Sequence, residues 1–407
     1  MQGSSATIRR CAHCICRDNC IASGFISGVG LAPYGGHDDG KSFALNPAYQ
    51  LHPLNSDPST SPGRRQVPPL TIGPLTLASP VLLAPMAGYT DLPFRLCLRA
   101  YGRLGMAYTE LINPHSLLRG KGRRRAQLLA TEAEDAPLGW QIYGSDVEML
   151  CEAARALEGQ GAPLIDVNMG CPERKISGGG AGAGWLRAPA AAVAAAARVV
   201  AAVKIPVTVK LRLGWDATAL VAAGMVPGLE DAGVAAVTVH GRTRQQAYTG
   251  LADLEAIRSC VAVARRMPVI GNGDIVSVDS ARRMLALTGC AGLMVGRGAL
   301  ARPWLIREIA RDLAGELAES VDERAERIAF LWRHLDRMLA FYGSEGGVRL
   351  FRKWIPQYVR GLVPHRRDLP ALFQIEEESA LREALAELAG SGGIRKGSQN
   401  SEVRLPE

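Results

Sequence analysis

The feature that most limits how this chain can fold is an alternation of short apolar runs with helix-like stretches, beginning at residue 81. Eight runs read as strands: VLLAPMAG (81–88), MAYTELI (106–112), LGWQIYG (138–144), LIDVNMG (164–170), VTVKLRLG (207–214), AAVTVHG (235–241), VIGNGD (269–274) and GLMVGRG (292–298). Their near-continuous apolar character predicts strands buried on both faces, as in a parallel sheet. Helix candidates lie near 93–101, 146–160, 189–203, 217–232, 251–266 and 277–287, and another begins at Pro303. Eight such units over about 240 residues match a (β/α)8 barrel, an α/β fold, in count and length. A doubly wound sheet would usually have fewer strands and a dinucleotide-type glycine turn after the first, and no such turn is present. Just ahead, LTIGPLTLAS reads as a short hairpin around a Gly-Pro turn.

In a barrel of this kind, functional groups sit at the C-terminal ends of the strands. The eight runs end on Pro85-Met86-Ala87-Gly88, Glu110, Gln141, Asn168 with Cys171, Lys210 with Arg212, His240, Asn272-Gly273-Asp274 and Gly296-Arg297. One polar residue at a strand end is ordinarily a cap or a solvated group. Eight converging on one rim predict a site. Lysines are rare here beside arginines, so Lys210 inside an apolar strand is not filler. The last two units present GNGDIVS and GRGAL, glycine-rich turns whose backbone N–H groups can face an anion. Asn272 and Arg297 add donors. Gln141, Lys210 and His240 offer hydrogen bonds and positive charge to a flat heterocycle bearing carbonyls. A phosphate beside such a ring suggests flavin mononucleotide (FMN), and a sugar-phosphate substrate fits nearly as well.

The chain of 407 residues is 47% hydrophobic, with a net charge of +8 and a pI near 9.1. The length predicts one large domain with a smaller one, and the basic balance is compatible with a polyanionic partner, nucleic acid first. No apolar run reaches membrane-spanning length and no apolar leader is visible, so no membrane partner and a reducing cytoplasm are expected. Residues 1–66 are rich in Gly, Ser and Pro without periodicity and read as a disordered extension. Within them, CAHCICRDNC carries Cys11, His13, Cys14, Cys16 and Cys20. A lone cluster in such a segment is not taken as a metal site, which would need four ligands and a second shell.

The chain also resembles a known family. APMAGYTDLPFR (84–95), QIYGSD (141–146), DVNMGCPERK (166–175), VTVKLRLGW (207–215), TVHGRTR (238–244), GNGDI (271–275) and MVGRGALARPW (294–304) are similar, in order, to the motifs of the transfer RNA dihydrouridine synthases, the bacterial B-type group above all. The resemblance runs from about residue 70 to about 362. It implies an FMN barrel with a helical C-terminal domain that reduces selected uridines of tRNA to 5,6-dihydrouridine, with NADPH reloading the flavin. It also implies roles at matching positions. Pro85, Met86 and Ala87 would back the flavin ring with main chain, Gln141 and Lys210 would bond its polar edge, and His240 would lie nearby. Asn272, Gly273, Asp274, Gly296 and Arg297 would hold the ribityl phosphate. Asn168 and Lys175 would contact the substrate nucleotide or its phosphate.

Saturating the 5,6 bond of uracil takes a hydride and a proton. A thiol with an ordinary pKa of about 8.5 stays protonated at neutral pH yet can give its proton up. Cys171 is therefore expected to be the general acid. No second cysteine lies nearby in sequence, which argues against a metal.

Residues 67–315 are expected to form the barrel, 316–390 a helical tRNA-binding domain and 391–407 a disordered tail. In ERAERIAFLWRHLDRMLAFYG, Ile328, Leu331, Leu335 and Leu339 recur at helical spacing. GVRLFRKWIPQYVRGL places Arg349, Arg352 and Lys353 together, with Arg360, Arg366 and Arg367 beyond, and RGKGRRR (119–125) forms a second basic cluster. Both are expected to meet phosphates. Pro356 is expected to kink a helix from within. Two other functions remain open on sequence: an FMN barrel reducing a free pyrimidine-like molecule, which would not need the basic appendage, and a non-catalytic RNA-binding relative, against which Cys171, Lys210 and His240 stand.

Overall fold

The computed structural model describes residues 66–359 and 369–390, all within one compact unit, Gly63–Glu407. The cysteine cluster of the N-terminal segment, Arg360, Arg366, Arg367 and the tail after residue 390 lie outside the described residues.

The hairpin comes first, as β1 (Thr71–Ile72) paired antiparallel with β2 (Leu75–Thr76). Eight strands follow: β3 (Val81–Leu83), β4 (Ala107–Tyr108), β5 (Leu138–Ile142), β6 (Leu164–Met169), β7 (Val207–Arg212), β8 (Ala236–His240), β9 (Val269–Asn272) and β10 (Gly292–Val295). They form one sheet in the order β3-β10-β9-β8-β7-β6-β5-β4, and every pairing in it is parallel. The ring closes between β3 and β4, where Leu83 N–H donates to the Met106 carbonyl at 2.9 Å and Gly105 N–H to that of Val81 at 2.9 Å. This is the expected barrel, one strand from each apolar run.

Period two sorts each strand's side chains. Ile165, Val167, Val207, Val209, Leu211, Val237 and Val239 face outward and pack under the helices. Leu82, Met106, Tyr108, Leu164, Ala236, Ile270 and Met294 face inward, joined by Leu70, Ile72 and Leu77 from the hairpin, so the hairpin closes the barrel floor. Gly139 has a packing reason: a Cβ there would sit 2.4 Å from the Tyr108 ring. The outer helices start where short polar side chains can take a free N–H. Asp91, Asp146 and Asp253 each accept from the backbone three residues on, and Ser277 with Ser280 makes a reciprocal box.

Beyond the barrel, helix Glu323–Tyr342 buries Phe330, Leu331, His334, Leu335, Met338 and Leu339, while Ile328 is only half-buried. That face lies against the first barrel helix, Leu92–Arg99, through an aromatic cluster. Phe94 stacks on Trp354 at 4.6 Å and meets Phe330 edge-on at 6.0 Å. One expectation needs correction. Pro356 does not kink a helix from within. A 3-10 turn over Arg352–Trp354 precedes it, and it sits in the first turn of helix Ile355–Tyr358, where its missing N–H costs nothing. The basic stretch 119–125 lies along two short helices. It carries the end of helix Pro114–Arg119 and the start of Arg123–Leu128, and Arg123 and Arg125 donate to the carbonyls of Tyr342 and Leu117.

The aromatic cluster is therefore the fastening between barrel and helical region. Trp354→Ala should cost about 3–5 kcal/mol, the usual loss for a large buried aromatic. Urea unfolding checks this, and a change under about 1 kcal/mol would show that Trp354 carries little of the junction.

Candidate active site

The polar residues predicted to converge do so at one rim of the barrel. Parallel register sets Gln141 beside Asp166, Asn168 beside Lys210, Arg212 beside His240, and His240 beside Asn272. All face inward, and Gln141, Asp166 and Arg212 are almost wholly buried.

A chain of hydrogen bonds runs through this rim, starting at Asp166, a residue without an assigned role in the sequence reading. Its carboxylate accepts from Thr208 Oγ1 at 2.6 Å and from Gln141 Nε2 at 2.6 Å. Gln141 Oε1 accepts from Asn168 Nδ2 at 2.8 Å. Asn168 Oδ1 then accepts the N–H groups of Gly170 and Cys171 at 3.1 and 2.9 Å. An ionised carboxylate can only accept, so it forces the Gln141 amide to present nitrogen to it and oxygen to Asn168. That in turn aims the Asn168 oxygen at the Cys171 loop. Asn168, expected to touch substrate, has both side-chain polar atoms engaged within the protein. Burial raises the Asp166 pKa to about 6, opposed by the Gln141 and Thr208 hydrogen bonds and by Lys210. Period two from Asn168 would have placed Asp166 on the same face.

Cys171 is half-buried on the loop after β6. Its carbonyl accepts from Ala183 N–H at 3.0 Å. Burial pushes its thiol pKa up, with Glu173, Arg212 and Lys210 exerting smaller effects. The thiol is thus held in its protonated form.

Positive charge dominates the far side. Lys210 Nζ donates to Asn272 Oδ1 at 3.0 Å, and burial first, then Arg212, lowers its pKa to about 8. Asn272 Nδ2 donates to the Met294 carbonyl at 2.7 Å. His240 is kept neutral by burial and by Arg212, Lys210, Arg242 and Arg297 around it. Arg212 is a loop clamp, donating to the carbonyls of Gly170, Thr243 and Ala247 at 2.6–2.9 Å. Arg242, also without a role from sequence, is buried and donates to Thr249, Gly250 and the Asp274 carboxylate. Asp274 also accepts from Ala252 N–H at 2.7 Å, so its carboxylate braces this corner. Gly273 is required there: its φ is +126°, and a Cβ would come within 2.8 Å of Ala252. Arg297 keeps only a loose 3.7 Å contact with Asp274 and lies over the Tyr248 ring.

The turn after β3 forms the remaining wall. Met86 N–H donates to Thr90 Oγ1 at 3.1 Å and the Met86 carbonyl accepts from Tyr89 and Thr90, which ties the turn to itself, and a Cβ on Gly296 would lie 3.8 Å from the Met86 sulfur. Glu110 accepts from Gly88 N–H. Of the residues expected to meet RNA, Arg349 is exposed, and Lys175 is exposed on the short helix Arg174–Ser177. Arg352 is half-buried, with Nε and a terminal nitrogen on the Ile375 carbonyl and a 3.6 Å contact to the exposed Glu376 carboxylate. Lys353 lies 5.5 Å from the Tyr89 ring, where its charge acts on Asp91 and Glu110. It thus belongs to the rim as much as to the helical region.

The dihydrouridine synthase (Dus) family profile matches residues 82–389. The chain belongs to the dihydrouridine synthase family. It is 42% identical over 289 residues to a protein of Rhodobacter capsulatus named "Probable tRNA-dihydrouridine synthase", covering 71% of this chain and 89% of that one. It is 38% identical over 326 residues to "tRNA-dihydrouridine synthase B" of Pseudomonas aeruginosa, covering 79% and 97%. Among solved structures, histamine dehydrogenase from Rhizobium sp. 4-9 aligns at a TM-score of 0.49 and 13% identity, over 67% of this chain and 51% of that one.

In this dihydrouridine synthase the Asp166 network gives a measurable pH signature. The folded pKa of about 6 lies above the ordinary aspartate value of about 3.9. Folding therefore favours the protonated carboxyl. Its stabilising contribution is complete below pH ~4 and is lost as pH rises through about 6. Asp166→Asn removes this titration, so the stability difference between variant and wild type should move in the variant's favour from pH 4 to 6.5. Urea midpoints across that range check it, and a constant difference would show that Asp166 does not titrate there.

Proposed function

We propose that this chain reduces uridine to 5,6-dihydrouridine in tRNA, with FMN at the barrel mouth and NADPH as the electron source. The observation that carries the reading is the pairing, on one rim, of a protonated thiol with a surplus of cationic donors. Lys210, Arg212, Arg242 and Arg297 all act on His240, and the carboxylates nearest to them, Asp166 and Asp274, are already bonded within the protein. Such a rim suits a ligand carrying negative charge. The donor set fits FMN: Lys210 has two ammonium hydrogens beyond its bond to Asn272, and Arg297 is half-exposed beside the Gly273 turn.

Reduced flavin bound there would supply the hydride. The chain's own residues do the rest. Gln141, fixed by Asp166, and Lys210 would meet the polar edge of the ring, and Lys210 would balance negative charge on it. Pro85, Met86 and Ala87 would back the ring with main chain. The backbone at Asn272, Gly273, Asp274 and Gly296, with Arg297, would hold the phosphate, while the Asp274 side chain keeps Arg242 and the corner loops in place. Cys171 would deliver the proton to the uracil carbon from its loop after β6. Residues 67–315 would be the catalytic domain and 316–390 the RNA-binding region, with Arg349 and Lys353 as its cationic contacts and Lys175 on the rim.

Purified protein should be yellow and release FMN on denaturation. Incubated with NADPH and an unmodified tRNA transcript, it should add two hydrogens at particular uridines, read by mass spectrometry of nuclease fragments. Protein that holds no flavin after reconstitution, or that leaves every transcript uridine unchanged while fully loaded, would contradict the proposal.

A further inference from the structure

We infer that Arg187, Trp215 and Arg244 form a binding site for the sugar–phosphate backbone of RNA flanking the nucleotide that enters the mouth. The inference rests on the tRNA-directed reading above and deepens it. The Arg187 guanidinium lies 3.7 Å from the centre of the Trp215 indole, and that of Arg244 lies 4.7 Å from the same ring. Neither arginine forms an ion pair with a carboxylate among the described residues. Many arginines elsewhere on this chain do, such as Arg198 with Glu148, Arg258 with Glu255 and Arg282 with Asp312. An aromatic face orders a guanidinium without cancelling its charge. Two such cations on one ring form a positive patch with its geometry set in advance.

The patch is built into the loops that carry the chemistry. Arg187 ends the 3-10 turn Gly182–Arg187, whose Ala183 N–H holds the Cys171 carbonyl at 3.0 Å. Arg244 Nε donates to Ser177 Oγ at 3.2 Å, and that hydroxyl faces the Pro172 carbonyl at 3.4 Å. The loops after β7 and β8 are tied to each other, Arg244 N–H to the Gly214 carbonyl and Gln245 N–H to that of Trp215, both at 2.9 Å. The patch is thus braced to the Cys171 loop at two points.

Its chemistry selects the ligand. The Arg187 guanidinium covers the indole, so that face is closed to a stacking base, and the guanidinium N–H edges are what remain. Planar N–H edges suit phosphate oxygens. A base that reaches a thiol inside the rim must leave its stack, and it draws its own backbone against the mouth. The neighbouring phosphates then fall on the surface beside the Cys171 loop.

The test measures binding of an unmodified tRNA transcript to FMN-loaded wild type, Arg187→Ala, Arg187→Lys and Trp215→Leu across a salt series. Loss of one phosphate contact should reduce the slope of log K against log salt by about 1 in Arg187→Ala. Its low-salt affinity should fall roughly tenfold. Arg187→Lys should keep the slope and lose part of the affinity. Trp215→Leu should lower the slope in the same direction. Flavin content and reduction by NADPH should match wild type throughout. Arg187 is exposed, so Arg187→Ala decides the matter even if Trp215→Leu does not fold. If wild type binds and modifies tRNA and Arg187→Ala keeps its slope and affinity, the phosphate site is refuted and the proposed activity stands. If loaded wild type neither binds nor modifies tRNA, both fall together.

Discussion

The active rim depends on one hydrogen bond, from the Gln141 amide nitrogen to the buried carboxylate of Asp166. An amide can turn over at little cost unless a neighbour accepts from one end only. Asp166 is that neighbour at neutral pH. Through Gln141 and Asn168 it fixes the Gly170 and Cys171 amides, so a single charge inside the barrel sets the face shown to a cofactor and the position of the thiol. The interior of a parallel barrel is a workable place for such a charge. Thr208 and Gln141 satisfy it, and Lys210 stands nearby.

The loops above this layer are held largely by arginine and backbone. Arg212 binds three carbonyls from the loops after β6 and β8. Arg242 binds two more together with Asp274. A carbonyl takes up only part of a guanidinium's charge, so each clamp that orders a loop also leaves positive potential at the rim. Loop order and anion affinity therefore come from the same side chains. The Arg187–Trp215–Arg244 stack extends that arrangement outward, with an indole in place of the carbonyls.

Most of the barrel was legible in the sequence because its strands are buried on both faces and so read as uninterrupted apolar runs. The polar strand ends were legible for the same reason, since Lys210 and His240 break runs that are otherwise apolar. Asp166 was visible only as one acidic residue in such a run. Its role comes from register against β5 and β7, which spacing along one strand does not reveal. That Arg352 and Arg123 bond to carbonyls was not legible, because sequence shows charge but not the carbonyl a guanidinium turns to. Pro356 read as a kink because the 3-10 turn ahead of it leaves no mark in the apolar pattern. The indole that gathers Arg187 and Arg244 draws on three loops distant in sequence.

The most direct measurement concerns Cys171. Wild type and Cys171→Ala, each loaded with FMN and reduced by NADPH under anaerobic conditions, are mixed rapidly with unmodified tRNA while flavin absorbance is followed. Binding of FMN and its reduction should be equal in the two proteins, because neither uses the thiol. Reoxidation by tRNA should be slower in Cys171→Ala by about 10²–10⁴, the range of a lost general acid. Equal reoxidation rates in two equally loaded proteins would contradict the assignment and place the proton donor elsewhere on the rim.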